Sequence, residues 1–325
     1  MIYTNFKGAD ISRLGIGTVQ FGFDYGINNK LGQVSYDDVI SILGKAKETG
    51  VNFLDTSRAY GTSEEVLGKA LEEVDGRNEF FVCTKLDLPR DWKELTEKEV
   101  LQNARDSFSE SMETLRLDKI PFYLLHKLDF YTYAGGIIWE FVKEQQDKGF
   151  LGHIGVSIGG GPDEALTAIA DERMEIIQIP YNIYDWRWKK AGVFDQAAAG
   201  NVMIVNRSTY LQGLLVMSQE DAAEKLPRSL PYRERLEETA VKWGCSLKEL
   251  VLQYVFSNSG ITSTILGVDS PEQFEENISI FNSGTIPEDV LKEAYTRFSD
   301  VPENVLNPAL WNQPYKGNQY KSKKG

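Results

Sequence analysis

Short runs of β-branched and aromatic residues alternate with longer stretches in which apolar residues return every three or four positions, and the alternation continues almost to the C-terminus. That is the pattern of a parallel sheet wrapped by helices. Eight runs read as strands: 14–17, 51–55, 80–85, 120–126, 153–157, 176–180, 202–208 and 262–266. Between them 36–49, 96–115 and 246–258 are amphipathic, and in the last Leu247, Leu250, Val251 and Tyr254 recur at helical spacing. Thr62 with Glu65, Thr96 with Glu99, Ser246 with Glu249 and Ser270 with Gln273 have the spacing of capping boxes.

Eight strand–helix units predict a single (β/α)8 TIM barrel, and no linker-like change of composition divides the 325 residues. The expectation is one domain over 1–325, with its core at about 12–285 and a C-terminal extra helix and tail over 286–325. Lys7-Gly8 between short alternating runs predicts an N-terminal β-hairpin closing the barrel bottom. His153, at the start of the fifth strand, is expected to face that bottom as a structural residue. The lysine-rich tail 316–325 reads as frayed, and the sequence leaves open whether Trp311 and Tyr315 cover the site, an interface or neither.

Composition narrows the chemistry. With 42% hydrophobic and 26% charged residues the chain builds a real core, and a net charge of −13 disfavours nucleic acid and anionic membranes as partners. The negative surplus is expected on outer helices such as 64–75. Cys83 and Cys245 form no CxxC, and with only His126 and His153 as further soft ligands a metal site is not expected. No apolar stretch approaches a membrane span, no secretory leader is recognisable, and a reducing cytoplasmic location is the expectation. Oligomeric state is not legible.

In a barrel of this kind residues at the C-terminal ends of strands face the active-site mouth. The second, third and fourth strands each end an apolar run on an ionisable residue, Asp55, Lys85 and His126. Tyr60 follows Asp55 closely enough to lean over the same rim. Together these four suggest proton chemistry at a polarised oxygen. A lysine cation beside a tyrosine favours the phenolate, a carboxylate holds the lysine, and a histidine orients a carbonyl. None can carry a hydride, so a reduction needs a cofactor.

Around these residues stand Asp55-Thr56-Ser57-Arg58-Ala59-Tyr60-Gly61 with Leu67-Gly68-Lys69-Ala70-Leu71, Leu14-Gly15-Ile16-Gly17-Thr18, Thr84-Lys85, Leu124-Leu125-His126, Gly155-Val156-Ser157, Gln178 with Tyr181-Asn182, and Gly267 through Glu276-Asn277. In this order they resemble the aldo-keto reductase superfamily, and a bacterial branch associated with carbohydrate pathways. The resemblance implies an enzyme that binds NAD(H) or NADP(H) on a barrel without a Rossmann domain. Gly15 and Gly17 are no dinucleotide fingerprint, because 21–32 after them reads as a loop. By position it makes Tyr60 the general acid/base, has Lys85 tune its pKa, pairs Asp55 with Lys85 and sets His126 on the substrate carbonyl. Hydride would pass between nicotinamide and carbonyl carbon while Tyr60 handles the proton, in either direction.

The resemblance also places the cofactor against Gly17, Thr18, Ser157, Gln178, Arg207, Ser208, Leu211 and Gly213, with Gly267, Gln273, Glu276 and Asn277 at its adenosine end. Ser157 and Gln178 match carboxamide-holding positions, and Arg207 matches one that covers the nicotinamide ring. Lys85, His126 and Arg207 are expected to make the mouth locally positive. Where NADPH-preferring members carry a lysine, a serine and an arginine this chain has Gly267, Val268 and Gln273, with Asp269 adding negative charge. Charge-assisted contacts to a phosphate need cations, so the reading leans to NAD(H) or dual use. Aromatic and polar residues in the mouth loops, including Gln20, Tyr25, Trp92 and Trp186, would suit a sugar-like aldehyde, ketone or alcohol. Two alternatives stay open: an aldolase-type barrel forming a Schiff base on Lys85, and a regulatory subunit that kept the reductase fold.

Overall fold

A computed structural model of the chain describes residues 1–27, 29, 31–284 and 286–311, so that Tyr315 and the 316–325 tail lie outside the described residues. Strands β1 (Tyr3–Phe6) and β2 (Ala9–Ser12) form the N-terminal hairpin. Eight parallel strands then close into a barrel: β3 (Leu14–Gly17), β4 (Phe53–Asp55), β5 (Phe81–Leu86), β6 (Ile120–Leu125), β7 (Leu151–Ser157), β8 (Ile176–Pro180), β9 (Met203–Arg207) and β10 (Ser263–Gly267). They pair in chain order, and β10 returns to β3. This is the (β/α)8 barrel expected from the alternation.

Side-chain parity on each strand sorts the core into two layers. Phe53, Cys83, Phe122, Leu124, Ile176, Met203, Val205 and Ile265 fill the barrel with Phe6 and Ile11 of the hairpin. Their chain neighbours Leu54, Val82, Tyr123, Leu125, Ile177 and Ile204 point outward and pack under the helices. A one-residue slip would exchange these layers and expel the ionisable strand ends from the interior.

The strand read at 51–55 begins only at Phe53, because Asn52 is committed to the hairpin: its side chain accepts from Ser12 N–H (2.8 Å) and donates to the Asp10 carbonyl (2.8 Å). The hairpin is tied down at Glu175, which accepts from Lys7 (2.6 Å), Gln146 (2.6 Å) and the Ile154 N–H (3.1 Å) and lies 3.1 Å from His153 Nδ1. His153 also packs against Phe6 and Phe122, the structural position expected of it.

Thr96–Glu99 and Ser246–Glu249 form full capping boxes. The other two do not. Thr62 has non-capping dihedrals, and its hydroxyl donates to Gly22 instead. Ser270 accepts from Gln273 N–H, but the Gln273 side chain turns to Asp269 N–H (2.7 Å). The segment read as loop at 21–32 begins inside one helical turn, Val19–Gly22, whose last two residues, Phe21 and Gly22, lie within it. Glu64 does not join an acidic outer face: it is 1% exposed and bound by Arg58, Thr84 and Ser111. After the barrel, helix Glu288–Arg297 and the turn Glu303–Leu306 pack back, with Phe298 against Tyr184 and Trp311 donating to the Val305 carbonyl (3.1 Å).

Candidate active site

Parity carries Asp55 inward with Phe53, Lys85 with Cys83 and Gln178 with Ile176, and the β4–β5 register sets Asp55 beside Cys83. Lys85 is fully buried and uses all three ammonium protons, on Asp55 Oδ1 (2.7 Å), Asp55 Oδ2 (2.8 Å) and the Thr56 carbonyl (2.8 Å). Gln178 donates to Asp55 Oδ1 (2.7 Å) from the opposite wall. A buried ion pair is tolerable only when hydrogen bonded in this way. Burial works against the Lys85 charge, but Asp55, Tyr60 and Cys83 outweigh it and hold the ammonium above its ordinary pKa.

Tyr60 lies in a tight turn after β4, with its N–H donating to the Ser57 carbonyl (3.0 Å). A Cβ on Gly22 would come 1.7 Å from the Tyr60 carbonyl oxygen, so only glycine lets the Val19–Gly22 turn approach there. Lys85 Nζ sits 5.0 Å from the Tyr60 ring centroid. Burial raises the Tyr60 pKa; Lys85 opposes that rise without cancelling it, so the expected lowering is not the net direction. His126 meets Tyr60 edge-on at 5.9 Å between ring centroids. Burial, with Lys85, Arg207 and Lys127, pushes His126 down to about 3, so the ring is neutral.

These groups open on a cavity of about 660 Å³, within the ordinary range for small-molecule and cofactor sites. Asp55, Tyr60 and His126 line it, while Lys85 stands behind Asp55. Of the residues read as cofactor or substrate contacts, Gly17, Thr18, Arg207, Ser208, Gly213, Gly267, Gln273, Gln20 and Tyr25 also line it. Leu211, Glu276 and Asn277 do not: Leu211 is in the core, Glu276 pairs with Lys248, and Asn277 accepts from Tyr210 Oη (3.0 Å). Ser157 and Gln178 are buried outside the lining and bonded to each other (3.4 Å). Trp92 is 5% exposed and packed on Phe130 and Tyr133, and Trp186 lies outside the lining under Lys190. Among the described residues no cluster of His, Cys, Asp or Glu could hold a metal ion.

The aldo/keto reductase family model matches residues 13–294. The chain belongs to that family. It is 27% identical to L-galactose dehydrogenase of Arabidopsis thaliana over 292 residues, covering 84% of this chain and 85% of the relative. It is 25% identical to the aldo-keto reductase YhdN of Bacillus subtilis, covering 97% and 98%. It is 22% identical to the NADH-specific methylglyoxal reductase of Escherichia coli, covering 84% and 90%. A solved aldo-keto reductase structure from Pseudomonas aeruginosa superposes with a TM-score of 0.61 over 84% of this chain and 90% of that one, at 21% identity. As a member of this family the protein is an NAD(P)-dependent oxidoreductase.

The reductase fits such a nucleotide on its own geometry. Gln20 Oε1 is a buried acceptor without a partner among the described residues, and Gln20 and Asp269 both line the cavity. A Cβ on Gly267 would strike Gln20 Nε2 at 2.6 Å, and one on Gly17 would strike Ile265 at 2.8 Å, so these glycines let Gln20 and Ile265 pack closely at the cavity wall. Ser208, Leu211, Gln212 and Gly213 all have positive φ (62°, 49°, 56° and 93°). Such strained backbone collects at functional sites, and backbone N–H groups in such turns favour anions.

Sequence reading missed one charged wall of the cavity. Ser246, Leu247 and Lys248, at the start of helix Leu247–Phe256, line it. Lys248 pairs with Glu276 and lies 5.9 Å from the Tyr210 ring centroid. The Ser246 capping box was a legible signal, because it fixes the helix's first turn. The expected positive mouth is correspondingly redistributed: His126 is neutral, Lys85 is matched by Asp55, and the lining carries Arg207, Asp269 and a Lys248 shared with Glu276.

Proposed function

We propose that this reductase interconverts a sugar-like carbonyl and its alcohol, with Tyr60 as general acid/base. The observation that carries the reading is the convergence of Asp55, Lys85, Tyr60 and His126 at one wall of the cavity. A bound nicotinamide nucleotide supplies or accepts the hydride.

The chain's own residues supply the rest. Lys85, locked by Asp55 and Thr56, keeps a fixed cation beside Tyr60, so negative charge developing on the phenol oxygen is met without reorganisation. Tyr60 gives its proton to the carbonyl oxygen in reduction and takes it back in oxidation. His126, neutral and edge-on to Tyr60, orients the same oxygen. Gly17, Thr18, Arg207, Ser208 and Gly213 would hold the nicotinamide and diphosphate portions, and Gly267, Gln273 and Lys248 the adenosine portion. Arg207 is itself fixed by donating to the Ile158 carbonyl (2.9 Å).

Asp269 in the lining supports NAD(H), while Lys248 supports dual use. Tyr25 at the mouth, with Gln20 and Gln212, supports a polyhydroxylated substrate, and the names of the plant and Escherichia coli relatives point to sugar and short oxo-aldehyde chemistry. A Schiff-base role for Lys85 is disfavoured, because a nucleophilic amine must be neutral and this one is held charged.

Absorbance of NADH and NADPH followed with a panel of aldoses, ketoses and small aldehydes tests the reading. Tyr60→Phe is expected to bind cofactor as before and lose about 10²–10⁴-fold in turnover. Retained turnover refutes the role of Tyr60, and a strong NADPH preference refutes the lean to NAD(H).

A further inference from the structure

A neutral imidazole carries one ring proton, and which nitrogen holds it decides whether the other can donate or accept. His126 is neutral, and it lines the cavity beside Tyr60. Its Nδ1 lies 3.2 Å from the hydroxyl of Ser57, which is fully buried, and 3.6 Å from Asp87 Oδ1, beyond a good hydrogen bond. Ser57 Oγ already accepts from the Ala59 N–H (3.2 Å), so its own proton is free to be donated. We propose that Ser57 is a positioning residue that donates to His126 Nδ1 and thereby puts the ring proton on Nε2.

The remaining groups around the ring are cations and a phenol: Lys85, Arg207, Lys127 and Tyr60. None accepts from Nδ1. Among the described residues Asp87 is the single competitor. Its carboxylate attracts an Nδ1 proton, and burial raises its pKa against the opposing Lys127 and Leu88 N–H. Ser57 and Asp87 therefore pull the tautomer in opposite directions. The nearer partner wins: the hydroxyl leaves Nε2–H as a donor, whereas Asp87 would leave Nε2 a bare acceptor, repelling a carbonyl oxygen. The catalytic consequence rests on the reductase reading above, but the tautomer does not.

The experiment is nitrogen-15 NMR of the nucleotide-free protein near neutral pH. With only His126 and His153 in the chain, His153→Gln assigns both rings. The expected spectrum shows protonated Nε2 and bare Nδ1 on His126. Ser57→Ala is expected to move the proton to Nδ1 and lower kcat for carbonyl reduction roughly tenfold, with cofactor affinity unchanged. Adding Asp87→Asn to Ser57→Ala is expected to return part of the Nε2–H population. A wild-type ring protonated on Nδ1 overturns the proposal, as does a Ser57→Ala spectrum still showing Nε2–H. If Ser57→Ala does not fold, the wild-type spectrum alone decides. Absence of turnover with an Nε2–H ring would instead count against the reductase reading.

Discussion

Replacing Lys85 by Met tests the electrostatic core of the site without any assumption about substrate. The side chain has no solvent exposure, and its loss removes two hydrogen bonds to Asp55 and one to the Thr56 carbonyl. Asp55, 4% exposed, would keep the Gln178 amide and the Cys83 thiol but no cation. Breaking one side of a buried pair costs about 3–5 kcal/mol, because the remaining charge is uncompensated. At about 2 °C per kcal/mol for a chain of this size, the melting midpoint of the nucleotide-free protein should fall by roughly 6–10 °C. Asp55→Asn in the Lys85→Met background removes the stranded charge and should restore about 1–3 kcal/mol. Calorimetry on wild type and the two variants measures this. A single variant within about 1 kcal/mol of wild type, or a double variant less stable than the single one, would refute the reasoning.

The hairpin latch should show in acid stability. Glu175 is held down at about 2 by His153, Lys7, Ile154 N–H and Gln146, against the opposing effect of burial. Its contribution is full above the ordinary glutamate range and is lost as pH falls from there towards about 2. Thermal melts against pH should therefore be less acid-sensitive in Glu175→Gln than in wild type. Gly22→Ala drives a methyl into the Tyr60 carbonyl oxygen. A loss of about 1–3 kcal/mol with a disproportionate loss of kcat is expected, and an unchanged melting point and turnover would show that the turn yields freely.

Much of the fold was legible because it rests on local rules. Short β-branched and aromatic runs between amphipathic stretches located the eight strands, and the parity that buries Phe53, Cys83 and Leu124 puts Asp55, Lys85 and His126 inward at their ends. What parity does not say is which polar residues meet. Ser157 and Gln178 stand at matched strand ends, yet they spend their hydrogen bonds on each other and on Asp55. Trp92 sits in a candidate loop, yet its apolar area is satisfied by Phe130 and Tyr133.

Sequence by itself determined the barrel, its order and the residue types at the mouth, because secondary-structure period and strand ends are properties of neighbours along the chain. Tertiary structure alone decided the Lys85 bonds, the rise of the Tyr60 pKa, the neutrality of His126 and the arrival of Lys248 at the cavity. The reason is physical: burial and charge pairing depend on distances between residues far apart in sequence. Ser57 and His126 are 69 positions apart, and only closure of the barrel brings a hydroxyl to an imidazole.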